Sequence, residues 1–214
     1  MTLRRKLTDG AKTFGLDLTD EQVDQFLFYL VELEKWNRKI SLTSIKGEQD
    51  IVIKHFLDSF SYLKGFEPSA GTRLLDMGSG PGFPALPLKI AIPGLAVTMV
   101  ESVQKKAAFL RHMVRMLRLQ NAEVADKRTD GLPASYVEQY DVVTARAFSD
   151  MPSALHEGRR FLKPGGLMVL SRGPEETIAD DIVDSFGMIR ESRTELVLPF
   201  SDYRRTIWVF RKKS

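Results

Sequence analysis

The stretch Leu74-Leu75-Asp76-Met77-Gly78-Ser79-Gly80-Pro81-Gly82-Phe83 limits this chain more than any other. An apolar run, the pattern of a buried strand, meets three glycines at every second position and then the helix-like segment Ala85 to Ile90. Glycines at a strand end let the backbone turn sharply and let a ligand approach main-chain atoms that a Cβ would shield. A strand, a glycine turn and a helix in succession are the opening of a βαβ unit, so the chain is expected to build a parallel sheet.

The rest of the pattern agrees. Arg73 to Met77, Ala96 to Glu101, Ala122 to Lys127, Tyr140 to Arg146 and Leu167 to Ser171 read as five strands, with helical stretches between them. The clearest of these is Lys105 to Leu119, with Ala107, Leu110, Val114 and Leu117 on one stripe. Leu162-Lys163-Pro164-Gly165-Gly166-Leu167 reads as a turn between a helix and a strand. Thr194 to Leu198 and Thr206 to Phe210 flank a turn region and predict an antiparallel C-terminal hairpin. Before the first strand the chain is helical. Thr19-Asp20-Glu21-Gln22 matches a capping box, and Val23, Phe26, Leu27, Leu30, Leu33 and Trp36 follow at helical spacing, which predicts a helix of about 17–18 residues. A second pattern, Ile51 to Leu63, presents Ile51, His55, Asp58 and Tyr62 on adjacent turns. The Pro- and Gly-containing segment Lys64 to Thr72 marks the junction. The expectation is an α/β chain with a small helical region over residues 1–65 and a sheet domain over residues 66–214.

Composition excludes several chemistries. The chain of 214 residues has no cysteine, which removes thiolate metal sites, disulfides and thiol nucleophiles. The basic start MTLRRKL has no apolar run behind it and no later stretch is apolar enough to span a bilayer, so a cytoplasmic, membrane-free chain is expected, with monomer as the default. The net charge of +3 is small, and its excess lies after Lys64, where Ser102 to Gln120 and Tyr203 to Ser214 carry basic residues and no acid. Arg111, Arg115 and Arg118 share one side of the predicted helix, either as its solvated face or as an RNA contact. His55 with Asp58 is too few ligands for a zinc site; a hydrogen bond between the two regions is the competing reading, and no metal is expected. Trp36 and Trp208 are expected in the core.

The spacing of the glycine loop separates it from the dinucleotide turn G-x-G-x-x-G, because Phe83 stands at the third glycine position and Asp76 precedes the loop. D-x-G-x-G-x-G resembles motif I of the class I methyltransferases that use S-adenosylmethionine. In that setting Glu101, 25 residues after Asp76, would accept the ribose hydroxyls; the alternative is that it caps the helix beginning near Gln104. Chemistry narrows the acceptor. Pyrimidine C5 methylation uses a cysteine adduct, and exocyclic amino methylation uses an Asn/Asp-Pro-Pro-aromatic tetrad where this chain has Ala145-Arg146-Ala147-Phe148. A nucleophile with a free lone pair, such as guanine N7, remains, and it needs positioning but no general base.

The order Leu33-Glu34-Lys35-Trp36-Asn37, Leu42-Thr43-Ser44-Ile45, His55-Phe56-Leu57-Asp58-Ser59, Asp76 to Pro87, Glu101-Ser102 and Ala145-Arg146-Ala147 resembles the RsmG (GidB) family of 16S ribosomal RNA guanine-N7 methyltransferases. The resemblance implies a Rossmann-like methyltransferase sheet with a helical N-terminal part, S-adenosylmethionine as cofactor, and a guanine in the decoding-region loop of 16S rRNA, in the 30S subunit or its assembly intermediate, as substrate. It implies cofactor contacts from Asp76, Gly78, Gly80, Gly82, Phe83 and Glu101, places Thr129 and Asp130 beside the adenine, and puts Arg146 in the transfer pocket, bordering the cofactor, as a positioning residue. Ser41 and Arg172 depart from the family pattern, which has Asn and Lys there; Arg172 keeps a charge and an RNA contact is the expectation. Two other readings remain: a same-fold methyltransferase acting on a protein or small molecule, which would turn over without rRNA, and an RNA-binding assembly factor without transfer activity.

Overall fold

A computed structural model describes residues 1–146, 148–173 and 175–214. Ala147, the last residue of the Ala145-Arg146-Ala147 motif, lies outside the described residues. The chain begins with α1 (Leu3–Lys12) and α2 (Asp20–Asn37). The capping box of α2 forms as the sequence predicts, with Thr19 Oγ1 accepting from the Gln22 amide and the Thr19 amide donating to Gln22 Oε1. A continuous helical run, α3 (residues 48–64), then changes pitch: an α-turn gives way to a π-helix over Val52–Leu57, a short α-turn and a 3₁₀ end.

The sheet follows, with β1 (Arg73–Met77), α4 (Ala85–Ala91), β2 (Ala96–Val100), α5 (Gln104–Met116), β3 (Ala122–Ala125), β4 (Tyr140–Arg146), α6 (Met151–Gly158), β5 (Leu162–Arg172), α7 (Asp180–Ser185), β6 (Met188–Val197) and β7 (Arg204–Lys212). Its order is β3-β2-β1-β4-β5-β7-β6. The first five strands are parallel, and the hairpin β6–β7 runs antiparallel against β5. The crossing of the chain from the β1 side to β4 opens a crevice at the carboxyl ends of those strands, where parallel sheets of this topology bind ligands.

Both faces of β1 are covered. Leu74 packs with α4, α5 and the N-terminal helices, whereas Leu75 and Met77 pack with α6 and α7, as the alternation of a strand demands. One apolar cluster joins Leu7, Phe26, Tyr29, Phe56 and Phe60 of the helical region to Leu74, Leu86, Val97 and Phe109 of the sheet and its helices. The two parts are also tied by hydrogen bonds, since Gln22 Nε2 donates to the carbonyls of Ile90 and Ala91 at the end of α4. Trp208 is buried, and Trp36 is half-buried against Phe109 and His112.

Two local expectations change. The segment Leu162 to Leu167 is not a turn outside the sheet: Leu162 already pairs with Tyr140, Leu167 pairs with Val142, and the Lys-Pro-Gly-Gly between them is an excursion within β5. The predicted helix to Leu119 stops at Met116, and Arg118 takes φ 52° beyond its end, so Arg118 does not continue the face of Arg111 and Arg115.

Candidate active site

The glycine loop leaves β1 at the carboxyl end of the sheet and is held from three sides. Ser79 N donates to Val100 O at 3.0 Å and Ser79 Oγ to Asp76 O at 3.0 Å. Gly80 N donates to Glu101 Oε2 at 2.8 Å, and the Tyr29 hydroxyl of α2 donates to Pro81 O. Gly82 has φ 110°, and a Cβ there would sit 2.5 Å from Leu86 and 2.8 Å from the Tyr29 oxygen; only glycine fits. Gly80 also has positive φ (58°) but faces open space.

Asp76 is fully buried at the foot of the loop. Its Oδ1 accepts from Thr144 Oγ1 at 2.9 Å, and its Oδ2 has no partner. Burial pushes its carboxyl up to about 7, against the lowering effect of hydrogen bonds and of the Arg146 charge. Glu101 uses both oxygens on backbone amides: Oε2 takes Gly80, and Oε1 takes Val103 at 2.8 Å, at the start of α5. It thus caps α5 and anchors the loop together.

Two cavities open around this loop and share Gly78. The first, of about 230 Å³, is lined by Gly78, Val100, Ser102, Lys127, Arg128, Thr129, Phe148, Ser149 and Glu157. Thr129 is buried and its hydroxyl donates to Glu157. Asp130, its neighbour in a 3₁₀ turn, points away: its carboxylate is exposed and pairs with Arg128 at 3.3 Å. The second cavity, of about 140 Å³, lies between the loop and α3 and is lined by Leu42, Thr43, His55, Gly78, Ser79, Gly80, Pro81, Phe83 and Arg146.

The π-helical part of α3 builds the far wall of the second cavity. Arg146, at the end of β4, donates through Nη2 to Lys54 O and to His55 Nδ1, both at 3.1 Å. Its Nε faces Asp58 Oδ2 at 3.6 Å, while Asp58 Oδ1 accepts from Arg205 Nε of β7 at 2.9 Å. Asp58 is buried beneath the two guanidinium groups. Arg146 Nη1 is buried and has no partner. Because Arg146 donates to Nδ1, the imidazole proton of His55 resides on Nε2, which donates to Thr43 Oγ1 at 2.8 Å. Burial and the adjacent Arg146 charge hold His55 down to about 2, so the ring is neutral and its lone pair is occupied. Phe83 stacks on His55 (ring centroids 4.1 Å apart) and on Tyr29 (5.5 Å).

The structure therefore brings together Asp76, Gly78, Gly80, Gly82, Phe83, Glu101, Thr129 and Arg146, and leaves the Asp130 side chain outside. The arginines foreseen as RNA contacts are placed elsewhere. Arg111 is exposed and pairs with Asp126, Arg115 and Arg118 are exposed, and Arg172 is buried beside Glu176 rather than presented on a surface. Tyr29, Thr43, His55 and Asp58 are the contributors that spacing did not assign to the site; His55 and Asp58 were visible as a polar pair in an apolar helical pattern, and Tyr29 gave no signal within the helix of residues 20–37.

The family model for GidB, described as rRNA small subunit methyltransferase G, matches residues 22–186. The ribosomal RNA small subunit methyltransferase G of Geotalea uraniireducens is 38% identical over 215 residues, covering 99% of this chain and 97% of that one. Its counterpart in Roseiflexus castenholzii is 45% identical over 177 residues, covering 81% and 74%. Among solved structures the fold is shared with the cyclase SpnF (TM-score 0.63, 16% identity, 90% and 96% covered) and with M. jannaschii TYW2 in complex with AdoMet (TM-score 0.54, 13% identity, 68% and 70% covered). SpnF shows that the fold by itself does not dictate methyl transfer; the family match does not rest on fold. With a family model spanning most of its length and relatives matched nearly end to end, the chain belongs to the GidB family, rRNA small subunit methyltransferase G.

Proposed function

We propose that the chain transfers the methyl group of S-adenosylmethionine to N7 of a guanine in the decoding-region loop of 16S rRNA, carried in the 30S subunit or its assembly intermediate. The observation that carries the choice of N7 is the makeup of the smaller cavity. Among the described residues no carboxylate lines it, and its one imidazole, His55, has both nitrogens engaged. A site without a free base suits an acceptor that loses no proton on transfer. Guanine N7 is such an acceptor: its lone pair forms the new bond to carbon and the positive charge moves onto the base.

The residues fit the cofactor. Asp76 Oδ2, buried without a partner, is an acceptor that an ammonium group would satisfy, and the Gly80 face is open. Asp76, Gly78, Gly80 and Gly82 would hold the amino-acid end. Glu101 keeps unused lone pairs on both oxygens for ribose hydroxyls. Thr129, with Val100 and Phe148, would wall the nucleoside end, while Asp130 would serve only through its backbone. When bound, S-adenosylmethionine supplies a methyl carbon activated by its sulfonium. Phe83 and His55, stacked on each other, line the cavity that would take the acceptor base, and Arg146, held by Lys54, His55 and Asp58, keeps an unpartnered Nη1 donor beside it.

Labelled methyl transfer to 30S subunits lacking their own guanine-N7 methylation, with the modified nucleotide identified by mass spectrometry, tests the proposal. Label on one guanine N7 of 16S rRNA is the expected result, with transfer reduced at least about 100-fold by Arg146→Ala at unchanged cofactor affinity. Cofactor binding without label on any ribosomal RNA would reject it.

A further inference from the structure

A third cavity, of about 340 Å³, lies on the outer side of Thr43, between the end of α2 and the start of α3. Thr43 lines this groove and the smaller cavity of the site, so the two are neighbours across one residue. Leu33 and Ile51, both buried, form the floor of the groove, and half-buried Ile45 supplies its accessible apolar surface. Arg38 and Lys46 line it as well; both are exposed, and neither has an ion-pair partner among the described residues. Glu34 adds one carboxylate.

We infer that this groove is a second nucleotide subsite, which holds the nucleotide next to the target guanine. The inference rests on the RNA-methyltransferase reading above. An apolar surface with adjoining cations is what a nucleotide requires, the base against carbon and the phosphate near positive charge. Glu34 gives the subsite an acceptor for a base amino group. Continuity through Thr43 sets the register: with the target guanine against His55 and Phe83, the strand crosses Thr43 and its next nucleotide enters the groove. Arg38 and Lys46 thereby act in RNA affinity, whereas Arg146 acts in positioning for transfer. The RNA path then runs over the helical region, past the groove that α2 and α3 line.

The double substitution Arg38→Glu with Lys46→Glu tests this in the full-length chain against 30S subunits. The expected result is a KM for the subunit raised about tenfold, a salt dependence of binding shallower by roughly one to two in log–log slope, and an unchanged kcat at saturating subunit. Calorimetric cofactor affinity stays at the wild-type value. Lys46→Cys provides a second readout, because the chain has no other cysteine. A photoactivatable aryl azide attached there should crosslink 16S rRNA within a few nucleotides of the methylated guanine, read as reverse-transcription stops. Wild-type KM and salt slope in the double variant, with crosslinks remote from the target, would overturn the subsite and leave the proposed reaction standing. Failure of the wild-type chain to methylate any RNA would overturn both.

Discussion

The glycine loop and the π-helical segment Val52–Leu57 face each other across the same small cavity, yet they are built on opposite principles. The loop works through backbone: its amides are tied to Glu101 and Val100, and its glycines keep the surface low. The π segment and the Asp58 that follows it work through side chains, His55 and Asp58 gripping Arg146 from another element. One wall of the site thus depends on main-chain conformation, and the other on a buried carboxylate shared by two guanidinium groups. Each therefore fails in its own way.

The largest expected effect is on the side-chain wall. Asp58→Ala leaves Arg146 and Arg205 without their shared carboxylate and should cost about 3 kcal/mol in urea unfolding; it should also slow transfer at unchanged cofactor affinity. A stability change under about 0.5 kcal/mol would show that the pair is screened and structurally idle. On the backbone wall, Gly82→Ala forces a side chain into φ 110° against Leu86 and Tyr29 and should cost about 2–3 kcal/mol.

Acid stability sharpens the contrast, because the two walls carry pKa shifts of opposite consequence. His55 is lowered from 6.5 to about 2, so the unfolded chain takes up a proton that the folded chain refuses; its contribution is present above 6.5 and drains away as pH falls below it. Asp76 is raised from 3.8 to about 7, so its contribution is full below 3.8 and is lost as pH rises through 7. Between 3.8 and 6.5 the two slopes oppose, each about 1.4 kcal/mol per pH unit. Relative to wild type, His55→Gln should gain stability on acidification through that window and Asp76→Asn should lose it. Denaturant titrations at several pH values check both signs; parallel curves for all three proteins would refute the assignment. The smallest effect is Gly80→Ala, about 1 kcal/mol, since its added Cβ meets open space and only the left-handed backbone resists.

The same two walls show how far a sequence can be read. The loop is local: strand, acid and glycines lie within ten residues, so their spacing carries the chemistry directly. The parallel strands and the capped α2 were legible for the same reason. The π segment was not. His55 contacts Arg146 from 91 positions away, and the wider π turns, which set the phase of these side chains, leave no mark in an apolar pattern read at 3.6 residues per turn. Thr129 and Asp130 were read as a pair beside the adenine; Thr129 lines the larger cavity, and in the 3₁₀ turn the Asp130 carboxylate turns out to Arg128, which spacing alone does not show. Lys-Pro-Gly-Gly announced a turn, and the strand resumed on both sides of it because pairing with β4 continued. Arg172 was expected to touch RNA, and it is buried at the end of β5, which pairs with β4 and β7.

If this site transfers a methyl group by positioning, no proton is taken up by the protein in the transfer step. The most direct test is the single-turnover transfer rate to 30S subunits at saturating cofactor and RNA, followed from pH ~6 to ~9. A flat profile is expected, in wild type and at a lower level in Asp58→Ala, because at saturating cofactor the bound ammonium keeps Asp76 ionised across the range. A rate that climbs tenfold per pH unit through a defined pKa, and loses that dependence in His55→Gln, would show a general base at work and contradict it.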